Sequence, residues 1–259
     1  MKSLLQIAAT ALLITGGATC ALAASQPKVI AHRGYWDTPG SAQNSIRALV
    51  KADSIGCYAS EFDVWLTADS VAVVNHDPEF NGVHIESSTA AEVTALKLAN
   101  GENLPTLEEY LTAAEPLGIR LVLELKAHDS LSHERLAISK ILEAVDRHGL
   151  GDRTDYITFS PTAFATLVRE APAPAKVYYL TGNMIPAQVK FLGGAGIDYS
   201  FGDISKHPEW MKEAHDLGLE VNIWTVNKEA DMRRCIEDGA DYITTNDPET
   251  LFNLLRERK

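Results

Sequence analysis

From residue 28 to the C-terminus, apolar runs alternate with amphipathic stretches, which predicts the α/β class and, within it, a single (β/α)8 barrel. Two further observations choose a closed barrel over an open doubly wound sheet. Residues of catalytic type recur where apolar runs finish: His32, His76, Glu124 and Trp224 each stand at or just past the end of one. That placement fits an enzyme whose site lies at the C-terminal ends of barrel strands. The 259 residues also suit one large barrel domain, with no Pro/Gly-rich linker or low-complexity tract to divide them.

The first 24 residues stand apart. Lys2 precedes a mostly apolar stretch over residues 4–22 without Asp or Glu, and Ala21-Leu22-Ala23 has the small-x-small spacing of a signal-peptidase site. Gly16 and Gly17 interrupt the run and Ser25-Gln26-Pro27 follows at once. A cleaved signal peptide (1–24) is therefore expected rather than a membrane helix, leaving 25–259 as the barrel domain of an exported, periplasmic or secreted protein. Cys20 is a poor lipoprotein site, with Thr19 before it and Gly17 three positions back.

The elements follow in order. Residues 29–31 read as a strand leading into His32. Residues 44–55 carry Ile46, Leu49, Val50 and Ile55 at helical spacing. Residues 59–66 and 71–75 are extended and joined by a tight turn at Ala68-Asp69-Ser70. Residues 79–102, neither clear strand nor clear helix, read as a small excursion over the barrel mouth after the second β-unit. Residues 107–117 are helical, with Thr106 as N-cap and Glu109 completing a capping box. Strand is expected at 120–126, helix at 134–148, strand at 156–159 and helix at 164–170. Strand follows at 176–180, helix at 186–192, a short strand at 198–201 and a helix at 208–217 closed by Gly218. The chain ends with strand 221–226, helix 229–238 closed by Gly239, strand 242–245 and a helix opened by Pro248.

Signal cleavage removes one cation and no acid, so the mature balance is 22 basic against 35 acidic residues, or −13. Such a surface argues against nucleic-acid binding and against stable association with anionic membranes. It leaves room for a small anionic substrate, because a bound metal and a few cations reverse the sign locally. Cys57 and Cys235 fall beside helices that are not neighbours in a closed barrel, so both thiols are expected reduced and buried. No Cys-x-x-Cys motif suggests a zinc-thiolate site. Nothing in the sequence fixes the oligomeric state.

Glu61 and Asp63 lie two apart on an expected strand and share a face, while Phe62 and Val64 point the other way. Converging carboxylates repel unless a proton or cation intervenes. A hard divalent cation, Mg²⁺ or Ca²⁺, is the natural occupant for oxygen-only ligands, and Glu124 offers a third carboxylate. Surface acids at a solvated strand end are the plainer alternative, yet acids inside apolar strands rarely lack a partner. His32 and His76 each directly follow an apolar run. Imidazole titrates near neutrality, so the two can act as acid and base in one turnover. The other six histidines fall in helices or loops and read as structural or solvated. Arg33 offers a planar fork to phosphate and Lys126 a point charge, although either can simply bridge to the carboxylates. Those carboxylates oppose a Schiff-base role for Lys126 by holding its ammonium charged. Trp224 either walls a substrate pocket or packs at the rim. Together these residues point to metal-assisted attack on a phosphate ester.

At these residues the chain resembles the glycerophosphodiester phosphodiesterase family. The similarity runs over residues 29–249: His-Arg-Gly at 32–34, Glu-Phe-Asp-Val-Trp-Leu-Thr at 61–67 with Asp69, and Val-Val-Asn-His-Asp at 73–77. It continues with Pro-Thr-Leu-Glu-Glu at 105–109, Glu-Leu-Lys at 124–126, Trp-Thr-Val-Asn at 224–227 and Thr-Asn-Asp-Pro at 245–248. The resemblance implies a TIM (β/α)8 barrel with a divalent metal on Glu61, Asp63 and Glu124. It further implies His32 and His76 as general acid and base, Arg33 and Lys126 on phosphate, and Trp224 lining the alcohol pocket. The implied reaction is hydrolysis of a glycerophosphodiester to glycerol phosphate and an alcohol, by water or by a neighbouring substrate hydroxyl. A phospholipase-type enzyme acting on lysolipids or inositol lipids and a non-catalytic ligand-binding barrel are the alternatives. One departure stands out. The family's Pro-Glu-Asn-Thr is here Ala42-Gln43-Asn44-Ser45, so Gln43 replaces an acid, expected at the rim of the carboxylate cluster.

Overall fold

The computed structural model describes residues 26–258, and the expected signal peptide lies outside them. The chain opens with β1 (Lys28–Ala31), α1 (Ile46–Ser54), β2 (Ala59–Leu66) and β3 (Ala72–Val74). An excursion follows, built from β4 (Glu79–Phe80), β5 (Val83–His84), a 3₁₀ turn (Ile85–Ser87) and α2 (Ala90–Thr94). Then come α3 (Leu107–Ala114), β6 (Arg120–Leu125), α4 (Leu131–Arg147), β7 (Thr154–Thr158), α5 (Pro161–Glu170), β8 (Val177–Tyr179) and α6 (Pro186–Phe191). The chain closes with β9 (Gly196–Ser200), α7 (Phe201–Lys206), α8 (Glu209–Asp216), β10 (Glu220–Trp224), α9 (Glu229–Asp238), β11 (Tyr242–Thr245) and α10 (Pro248–Glu257).

Eight parallel strands run in the order β1-β11-β10-β9-β8-β7-β6-β2, and pairing of β1 with β2 closes them into a TIM barrel. The outward faces of the strands pack against the helices in one large core, in which Phe62 stacks on Tyr110 of α3 with ring centroids 4.3 Å apart. A smaller set, including Ile30, Val122, Ile157, Tyr178 and Tyr242, fills the barrel interior. Below it Glu220 accepts from Lys176 Nζ at 2.6 Å, from Tyr242 at 3.2 Å and from Tyr178, plugging the N-terminal mouth.

The run at 71–75, joined to 59–66 by the expected tight turn, is a hairpin strand beside the barrel. After the tight turn β3 folds back antiparallel on β2, pairing Val64 with Val74, because a parallel partner would need a long crossover. His76 thus enters the site from a hairpin. Residues 79–102 form the expected small excursion after the second β-unit, with short elements of its own. With Trp65 and Val73 they bury Ile85, Val93 and Leu98 in a separate small core. Helix α1 starts at Ile46 rather than at residue 44: Ser45 caps it, its hydroxyl accepting from Ala48 N–H at 3.0 Å, while Asn44 takes φ +60°. Phe201 begins α7 instead of ending a strand, because Ser200 caps that helix at Asp203 N–H. Cys57 and Cys235 are free and buried, as expected. Among the described residues no helix is long and apolar enough to cross a membrane.

Candidate active site

Strand alternation brings the polar residues together. Glu61 and Asp63 on β2 and Glu124 on β6 point inward, and an oxygen from each lies within 4.8 Å of the others. All three are buried; Asp63 is only 1% exposed. Asp63 Oδ1 accepts from Lys126 Nζ at 3.2 Å and its Oδ2 from Asn44 Nδ2 at 2.8 Å. Burial alone would push Asp63 up, but Lys126, His76, Asn44 and Arg33 hold it below the usual carboxylate range. Glu124 is pushed up to about 8 by burial and by the charge of Asp63. Glu61 is raised well above its usual range by burial and by both neighbouring acids. Lys126 Nζ pairs with Glu124 Oε1 at 2.7 Å, so one ammonium is shared between Glu124 and Asp63. Three desolvated carboxylates that share one lysine ammonium, with an oxygen of each within 4.8 Å of the others, fit a hard divalent cation.

The His-Arg-Gly turn carries the next group. Arg33 takes φ +57° and Gly34 φ +75°, and a Cβ on Gly34 would stand 2.6 Å from Ala48 Cβ, so only glycine fits against α1. The turn aims Arg33 N–H at Glu61 Oε2 (2.7 Å) and sets Arg33 Nε 3.7 Å from Asp63 Oδ2. That Nε is buried without an acceptor, a donor left for an anion. His32 Nδ1 lies 2.7 Å from Asn246 Oδ1, an oxygen that also accepts from Trp36 Nε1 at 3.2 Å. An indole N–H only donates, so the shared atom is an acceptor and His32 Nδ1 carries the proton, leaving the lone pair on Nε2. Burial and the charge of Arg33 bring His32 down to about 4. His76 Nδ1 meets Asp77 Oδ1 at 2.6 Å; burial lowers His76 as well.

Both histidines, Arg33, Glu61, Glu124 and Trp224 line one cavity of about 100 Å³. Trp224 stands edge-on to Phe159, 5.6 Å between ring centroids, and its indole N–H donates to the Asp198 carbonyl at 2.8 Å. Beside this cavity a cleft of about 560 Å³ runs past Arg33, Gln43 and His76 to Phe80 and Leu98 of the excursion. Gln43 is exposed in that cleft, and its Oε1 accepts from Arg33 Nη1. Its polar contact is thus with the phosphate candidate rather than with the carboxylates.

Three residues of the site carry no role in the sequence reading. Asn44 holds Asp63, Asn246 sets the His32 tautomer, and Asp198 lines the same cavity, with Asn222 Nδ2 donating to it at 2.8 Å. Burial pushes Asp198 up to about 7. The signal for Asp198 was present: an acid inside the apolar run Gly196-Ile197-Asp198-Tyr199, of the kind that marked Glu61.

Comparison with known proteins identifies the family. The model of the glycerophosphoryl diester phosphodiesterase family matches residues 32–250. A crystal structure of a glycerophosphodiester phosphodiesterase from Parabacteroides distasonis is 47% identical with a TM-score of 0.88, covering 90% of this chain and 98% of that one. The glycerophosphodiester phosphodiesterase of Caldanaerobacter subterraneus is 29% identical over 242 residues, covering 88% of this chain and 97% of the relative. The chain therefore belongs to the glycerophosphoryl diester phosphodiesterase family and is a phosphoric diester hydrolase acting on glycerophosphodiesters.

Proposed function

We propose that the chain is an exported, divalent-metal-dependent enzyme that cleaves diesters such as glycerophosphocholine or glycerophosphoethanolamine to glycerol phosphate and an alcohol. His32 acts as general base and His76 as general acid. The observation that carries this reading is one cavity lined by two unlike histidines, Arg33, Glu61 and Glu124, with Asp63 and Lys126 packed against those carboxylates. Mg²⁺ or Ca²⁺ held by Glu61, Asp63 and Glu124 supplies positive charge to the phosphoryl oxygens when bound. Arg33 and Lys126 add fixed cations beside that position, with the orphaned Arg33 Nε as a ready donor. Burial and the charge of Arg33 keep His32 neutral, and Asn246 holds its proton on Nδ1, leaving the Nε2 lone pair free to take the proton of the attacking hydroxyl. Burial lowers His76, and the carboxylates of Asp63 and Asp77 oppose that lowering in favour of the imidazolium that protonates the leaving alkoxide. Trp224 and Phe159 wall the pocket for the non-phosphate part of the substrate.

The test is direct. Purified protein given glycerophosphocholine should release glycerol phosphate and choline, with far slower release from lysophosphatidylcholine. Faster cleavage of the lysolipid would make the enzyme phospholipase-type. Binding of the diester without product would make it a ligand-binding barrel.

A further inference from the structure

β2 and β6 stay in parallel register up to Val64 and Leu125, and Lys126 N–H donates to the Val64 carbonyl at 3.2 Å. The next rung of such a ladder would run from Leu66 N–H to the Lys126 carbonyl. Here the imidazole of His128 stands between the two. Leu66 N–H donates to His128 Nε2 at 3.1 Å, and His128 Nδ1 lies 2.8 Å from the Lys126 carbonyl oxygen. A backbone N–H only donates and a carbonyl only accepts, so the ring is neutral with its proton on Nδ1. On the ring face lies Trp65, 5.3 Å between centroids, and its indole N–H donates to the His76 carbonyl at 3.2 Å.

We propose that His128 and Trp65 form a bracket behind the site that positions Lys126 and His76, His128 acting on substrate binding through Lys126 and Trp65 on turnover through His76. The inference rests on the assignment of Lys126 to phosphate and of His76 to proton transfer. Lys126 directly follows the last residue of β6, and its side chain reaches from there to Asp63 and Glu124. Its N–H is fixed by β2 and its C=O by His128. With the second tie cut, the ammonium loses one of the two anchors of its backbone. Glu86, His128 and His133 also bring ligand atoms within 4.8 Å of one another. A cation there would have to displace Leu66 N–H from His128 Nε2, and His133 Nδ1 is already engaged by Glu86 Oε1 at 2.7 Å. Glu86 also accepts from Asp129 N–H at 3.2 Å, tying the excursion to the chain beside His128.

Steady-state kinetics of the full chain with glycerophosphocholine test the bracket, with Lys126→Met as the reference. His128→Phe keeps an aromatic ring against Trp65 and deletes both hydrogen bonds. It should raise KM about 10-fold, in the direction of Lys126→Met, with kcat changed by less than about 3-fold. His128→Gln keeps a donor and an acceptor on one amide and should return KM to within about 3-fold of wild type. Trp65→Phe should lower kcat about 5-fold at nearly constant KM, and it serves as the test if His128→Phe does not fold. A lower Tm in His128→Phe and Trp65→Phe with unchanged KM and kcat overturns the proposal. If Lys126→Met leaves KM unchanged, the phosphate assignment fails and the His128 arm falls with it. If Lys126→Met raises KM and a folded His128→Phe does not, the bracket alone is wrong. Calorimetric binding of one Zn²⁺ that is lost in His128→Phe would make His128 a metal ligand and also overturn it.

Discussion

His32 and His76 face one cavity with unlike partners, an amide for the first and a carboxylate for the second. Unlike environments are what separate a base from an acid. His32→Ala and His76→Ala should each lower kcat by about 10²–10⁴-fold with the fold intact by circular dichroism. At saturating metal, wild-type activity should fall at low pH as His32 gains its proton, which burial delays to about pH 4. That acidic limb should vanish from the residual activity of His32→Ala and persist in His76→Ala; a variant with wild-type kcat removes its histidine from the mechanism. Gln43 belongs to the same scale. Its contact with Arg33 in the open cleft means that Gln43→Glu would build an exposed ion pair, on the order of 0.2–1 kcal/mol, on the cation meant for phosphate. KM should rise about 2- to 5-fold with metal affinity nearly unchanged. Tenfold tighter metal binding at constant KM would instead place residue 43 within the carboxylate cluster.

At the scale of elements, the turn from β1 into α1 does the positioning. It places His32 and Arg33 by pressing Gly34 against Ala48 at a positive φ. Gly34→Ala adds a left-handed alanine and a 2.6 Å clash, a cost of about 2–4 kcal/mol that should lower Tm by roughly 5–12 °C. An unchanged Tm would show that α1 shifts freely, and that the turn does not fix the site. This scale also separates what was legible in the sequence from what was not. Period-two alternation identified the inward face carrying Glu61 and Asp63, and apolar run ends located His32 and Glu124. The tight turn at Ala68-Asp69-Ser70 marked the run before His76 as joined closely to the strand before it, and the two form a hairpin. Asn44 was absorbed into a helix by the spacing of Ile46 and Leu49, because a left-handed asparagine leaves no periodic trace. His128 stands alone on a loop after β6, and only the missing rung between Leu66 and Lys126 gives it a role.

For the whole molecule, the barrel interior concentrates charge in a desolvated space, and stability should report it. Asp198 has its folded value raised from 3.8 to about 7 by burial. The folded state therefore keeps a proton between those pH values that the unfolded state releases, so stability falls as pH rises through that window. Asp198→Asn removes this slope. Relative to wild type the variant should gain on the order of 2–4 kcal/mol between pH 4 and pH 8 in chemical denaturation. Parallel pH–stability curves would mean that Asp198 is ionised in the fold. The closed barrel was legible from alternation and length, and the family from its motifs. The expected export rests on the apolar segment ahead of the barrel, and N-terminal sequencing of protein recovered from outside the cytoplasm should begin at or near Ser25.

The central claim is that Glu61, Asp63 and Glu124 form one cation site on which diester cleavage depends. The measurement that tests it most directly is glycerol phosphate release by chelator-stripped protein as Mg²⁺ or Ca²⁺ is added back, for wild type and Asp63→Asn in parallel. Stripped wild type should be inactive and recover along a saturable curve that matches calorimetric binding of one ion, while Asp63→Asn should need at least about tenfold more metal. Full activity in chelator with no bound ion, or an Asp63→Asn curve that overlays wild type, would contradict the account.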